Sequence, residues 1–120
     1  MIYFLIFVLI NIGLAKIDAN KIAKGIRIYH GINGLIYSAL LGGVYLLTHN
    51  WMLPLGLALL RIPVFNTSLN YFRGLAPTYI SESTTSIIDQ LTKKIVKKLG
   101  YWTYNTLIII ISLILILWQN

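Results

Sequence analysis

The chain has 120 residues, 58% of them hydrophobic and only 11% charged, far from the balance of a soluble domain at about 45–50% apolar and about 25% charged. It contains no cysteine, which excludes disulfide frameworks, thiol nucleophiles and thiolate metal sites. The net charge of +7 does not indicate nucleic acid, because the basic residues flank long apolar runs instead of forming a face on a soluble fold; the partner such flanks imply is anionic lipid.

The first expected membrane span covers residues 2–20 and opens with IYFLIFVLINIGLA. Its length and the small-x-small pattern Gly13-Leu14-Ala15 invite a competing reading as a secretory signal. However, no basic residue precedes the apolar core, and positive charge follows it. The helix is therefore expected to continue past Lys16 and Asp18 to a stop at Gly25, giving a length that crosses when tilted.

The second span is expected over residues 31–48. Gly34, Ser38 and Gly42 recur every fourth residue, which stacks them on one helix face where a neighbouring backbone can approach closely. Packing inside the monomer is the simplest use of that stripe, and pairing between copies is the next. Ala39 and Gly43 widen it. His30 extends the same face by one turn, and Asn33 stands beside it at the start of the span.

A short THN turn leads into the third span, residues 51–72. Trp51 marks an interface, Pro54 suits a first helical turn, and Arg61 then falls about 15 Å deeper, near the bilayer midplane. An arginine there costs roughly 2.5–3.5 kcal/mol on insertion scales, and snorkelling offsets only part of it. Pro63 removes one N–H and crowds the carbonyl of Leu59, so a kink is expected at Leu59 to Pro63. Beyond it, Asn66, Asn70 and Arg73 share a face if helix resumes; alternatively Asn66, Thr67 and Ser68 cap a fresh short helix. Asn66-Thr67-Ser68 also matches a glycosylation sequon, on the side expected to be cytoplasmic, where it would go unused. Only three acidic residues exist. Asp18 is the natural partner for Arg61 by depth, with Lys21, a lipid phosphate and another chain's carboxylate as competing arrangements.

After Gly74 and Pro77 break the third span, an amphipathic helix is expected over residues 86–99. Ser86 with Asp89 forms a capping-box variant, and Ile87, Ile88, Leu91, Ile95 and Leu99 fall within about a third of the helical wheel. Lys93 and Lys97 lie opposite, and Lys94 and Lys98 sit on the flanks, where they can snorkel at a membrane surface. The last span, residues 102–118, carries no charge, and its two tryptophans stand about 24 Å apart, the separation of two interfacial belts.

The fold class that follows is an all-α integral membrane protein with four transmembrane helices and a cytoplasmic interfacial helix between the third and fourth. Of the ten basic residues, four follow the first span, Arg61 and Arg73 fall in or after the third and four precede the fourth, with none at the N-terminus, in the THN turn or after Trp118, so both termini are expected outside, in a bacterial cytoplasmic membrane. No metal set, phosphate loop or paired carboxylates appear, so neither catalysis nor a cofactor is expected; His30 and His49 fall on opposite sides. The expected function is an accessory or assembly subunit that binds another membrane protein or anionic lipid of the inner leaflet through Arg61, Asp18, His30, Asn33, Asn66, Asn70 and Arg73. The alternative is an oligomeric, holin-like pore lined by Arg61, Asn66 and Asn70, with a small carrier behind it.

Overall fold

The computed structural model describes residues 2–28, 30–79 and 87–118, and among them every regular element is an α-helix. Five helices follow in order: α1 (Ile2–Ala23), α2 (His30–Thr48), α3 (Met52–Phe72), α4 (Ile87–Leu99) and α5 (Tyr101–Leu117). Three of them, α1, α2 and α3, are long and apolar enough to cross a bilayer, and α4 with α5 forms a fourth candidate bent by 112°. Ser86 of the expected capping pair lies outside the described residues, as do the side chains of Asp89, His30 and Ile88.

Local chemistry sets the ends of these helices. At the end of α1 the N–H of Ile26 reaches the carbonyl of Lys21 at 2.8 Å, and that of Gly25 reaches Ile22 at 3.0 Å. This is the Schellman closure, with Gly25 at a φ of 69° that side chains resist. The end of α3 repeats it: Leu75 N–H bonds Asn70 and Gly74 N–H bonds Tyr71, with Gly74 at φ 68°. Between α2 and α3 the turn is closed by side chains. The Thr48 hydroxyl donates to the Val44 carbonyl at 2.8 Å, and Asn50 Oδ1 accepts the N–H of Met52 at 2.9 Å, satisfying one of the orphan donors that open α3. His49 takes the left-handed conformation at φ 51°.

The bundle is organised around α3, which packs along α1 on one flank and α5 on the other, while α2 touches it more lightly. Phe7, Tyr37, Leu53, Leu57, Leu60 and Ile116 form the core. On α1 the buried side chains are Phe7, Asn11, Ala15, Asp18 and Ala19, the three- and four-residue steps of one helix face. The start of α3 lies against the end of α5 so closely that a Cβ on Gly56 would sit 2.9 Å from the Ser112 carbonyl oxygen and 2.9 Å from Ile116 Cγ1. The fully buried Ser112 turns its hydroxyl back to the Ile108 carbonyl at 2.6 Å, so its polar atom costs nothing at this contact.

This arrangement decides between two alternatives and corrects one expectation. First, α3 runs from Met52 to Phe72 with Pro63 inside it, so no separate helix begins at Asn66, Thr67 or Ser68. Neighbouring helices support a proline in a long apolar helix, and Pro63 is itself buried among them. Second, Gly34 and Gly42 have open space where a Cβ would stand, and Ser38 is exposed. The small-residue stripe is not used for packing inside the monomer, because Tyr37, Leu41 and Val44 turn α2 towards the core instead.

Candidate functional site around Arg61

Arg61 sits halfway along α3, and its surroundings are aromatic. Its guanidinium carbon lies 4.1 Å from the ring centroid of Tyr37 on α2 and 4.8 Å from that of Phe65, one turn further along α3. Cation–π contacts reach about 2 kcal/mol when desolvated, so two ring faces together are of the same size as the roughly 2.5–3.5 kcal/mol that a central arginine costs on insertion. The rings hold the charge in place. Nε is enclosed without a hydrogen-bond partner among the described residues.

The ring beneath Arg61 is fixed in turn by a polar chain reaching α1. The Tyr37 hydroxyl donates to Asn11 Oδ1 at 2.6 Å, and Asn11 Nδ2 donates to the Phe7 carbonyl one turn back at 2.8 Å. Asn11 is fully buried. Phe7 and Tyr37 meet with centroids 6.2 Å apart and planes at 58°. Three helices therefore contribute to one cluster: Phe7 and Asn11 from α1, Tyr37 from α2, Arg61 and Phe65 from α3.

Asp18 meets α2 through Asn33. It is buried and accepts a hydrogen bond from Asn33 Nδ2 at 3.1 Å, tying α1 to α2 nearer the basic end of α1. The expected juxtaposition of Asp18 with Asn33 is thus present. The Arg61 guanidinium lies against the rings of Tyr37 and Phe65, and Tyr37 also reaches α1 through Asn11. The side chain of His30 cannot be placed with them, as it lies outside the described residues.

Asn66, Asn70 and Arg73 do follow one another along α3, but two of them serve the loop behind it. Asn70 is buried, and its Nδ2 donates to the carbonyls of Pro77 at 3.0 Å and Tyr79 at 2.9 Å. This satisfies two groups of a segment that has no ladder of its own. The Arg73 guanidinium lies 5.8 Å from the Tyr79 ring and is exposed. Asn66 is half-buried. On α4, Lys94, Lys97 and Lys98 are exposed and Lys93 is half-buried.

The residues that sequence reasoning did not single out are Asn11, Tyr37, Phe65 and Gly56. Asn11 carried a usable signal, being the lone amide in the apolar run from Ile2 to Ala15; a buried amide must find partners. Tyr37 and Phe65 carried none, since aromatic residues at such positions ordinarily fill space. No family model, curated protein or solved structure matches this chain.

Proposed function

We propose that this protein is a small accessory subunit of a bacterial cytoplasmic membrane, crossing it four times with both termini outside and binding a second membrane protein through α2 and the Arg61 cluster. The distribution of charge supports the orientation, because the basic residues bracket α1 to α2 and α3 to α5. Aromatic residues agree with it. Trp51 opens α3 and Trp118 closes α5, at the end where those helices meet, and both are exposed, as is Trp102 at the other end of α5.

The observation that carries the reading is the outer surface of α2. Gly34, Ser38 and Gly42 lie about 60° to 140° round the helix from Tyr37, are exposed, and at Gly34 and Gly42 no atom of the described residues stands within 4 Å of where a Cβ would be. In lipid, where apolar surface gains nothing by leaving the tails, helices associate where small residues let backbones approach. Arg61 adds a fixed charge on the adjoining helix, its Nε without a hydrogen-bond partner among the described residues, that an acidic side chain of the partner would pair with.

The test is affinity purification of the full chain in mild detergent, with mass spectrometry of retained proteins. Wild type retains a membrane protein; Gly42→Leu and Arg61→Leu insert normally yet lose most of it. Wild type purifying alone, or both variants retaining the partner in full, would overturn the reading.

A further inference from the structure

We infer that α4 is an in-plane anchor seated in the anionic headgroup layer of the membrane, held at that angle by the corner at Gly100. The inference rests on α5 crossing the bilayer with Gly100 at the cytoplasmic surface, and is independent of α2 and its partner.

The corner is built. Gly100 has φ 84° and ψ 150°, a combination essentially confined to glycine, and through it the chain turns by 112° between α4 and α5. Both helices keep their hydrogen bonds up to the bend: Gly100 N–H reaches Val96 at 2.9 Å, and Tyr104 N–H reaches Gly100 at 3.1 Å. Inside the angle, Thr92 and Tyr104 are buried and share a hydroxyl hydrogen bond of 3.0 Å. With α5 near the bilayer normal, such a corner lays α4 along the surface.

What α4 then shows is an amphipath with its apolar face open. Ile87, Leu91, Ile95 and Leu99 are 74%, 53%, 40% and 49% exposed, so nothing among the described residues covers the apolar arc that sequence periodicity marked. Lys94 borders that arc, Lys98 falls just inside its edge and Lys97 lies on the far side. Lysines so placed lay their methylene stems on the apolar surface while the ammonium groups reach phosphates. Trp102, 67% exposed and edge-on to Tyr101 at 5.5 Å, sits two residues past the corner, at the level where interfacial tryptophans anchor. Charge decides the occupant. Four lysines on thirteen residues complement an acidic lipid surface, which attracts each by about fivefold in partitioning.

Because the chain has no cysteine, Leu91→Cys gives a single site for an environment-sensitive fluorophore on the otherwise intact protein. The label is read in nanodiscs of phosphatidylcholine alone and of an equimolar mixture with phosphatidylglycerol. In the mixed bilayer the emission shifts to the blue, spin-labelled lipid quenches it and iodide does not. In the neutral bilayer, and in both bilayers once Lys93, Lys94, Lys97 and Lys98 are all changed to Gln, iodide quenching returns at least several-fold. A label open to iodide in both bilayers, equal protection in both, or protection that appears only when a co-purified protein is present would overturn the inference. Partner retention measured on the same preparation separates the two proposals: a seated α4 without a partner sinks only the accessory reading, and a retained partner with α4 in water sinks only this one.

Discussion

Replacing Gly56 by alanine adds one methyl group at the tightest contact of the bundle. That methyl carbon would stand 2.9 Å from the Ser112 carbonyl oxygen and 3.1 Å from Leu115 Cβ, both carried by the α5 backbone, so no rotamer change can relieve the clash. Recovering ordinary contact at about 3.5 Å requires α3 and α5 to part by about half an ångström. Overpacking of this kind costs about 1–3 kcal/mol, against which alanine returns up to about 1 kcal/mol of helix propensity. The expected net loss is about 1–2 kcal/mol, near tenfold in the ratio of folded to unfolded protein. Unfolding by sodium dodecyl sulfate titration, followed by circular dichroism, measures it. Gly42→Ala is the matched control, since open space surrounds that position, and it should leave stability unchanged or raise it slightly. If Gly56→Ala and Gly42→Ala unfold at the same detergent fraction, the close approach of α3 and α5 is refuted.

The remaining predictions concern the polar contacts. In a double-mutant cycle of Asn11→Leu and Tyr37→Phe, the single effects should overlap by about 0.6 kcal/mol and at most about 1.7 kcal/mol, the range for hydrogen bonds between helices in a membrane; strictly additive losses in the same titration would show that the 2.6 Å bond contributes nothing. Asn70→Ala strips the carbonyls of Pro77 and Tyr79 of their donor at about 1–2 kcal/mol, and should speed proteolytic cleavage between residues 74 and 79 while leaving helix content unchanged. Unaltered cleavage would mean that the loop holds its shape by other means.

Helices and their limits were legible because they follow from hydrophobic run length and from glycine. The expected spans over 2–20, 31–48, 51–72 and 102–118 differ from the helices by at most three residues, and Gly25 and Gly74 end theirs by the left-handed turn that only glycine takes freely. The surroundings of Arg61 were less legible. Depth along single helices placed Asp18 and Arg61 in one region, but the rings against the guanidinium depend on a lateral quantity: which residue of α2 reaches both α1 and α3. That residue is Tyr37, and its position depends on the rotation of α2, which a helix apolar almost all round does not encode. The Gly34, Ser38 and Gly42 stripe was visible as a pattern, yet whether it faces inward depends on the same rotation.

The seam at Gly56 also constrains the order of assembly. In the proposed four-span arrangement some thirty residues separate α3 from α5, so the flank of α3 bearing that glycine would emerge into the bilayer while the helix that fills it is still unmade. Until α5 arrives, this narrow groove is open to lipid tails or to a stray helix, and the hairpin of α2 and α3 has one of its two main supports missing. Completion of the bundle is thereby delayed to the insertion of α5, and any change that slows that insertion prolongs the half-built state.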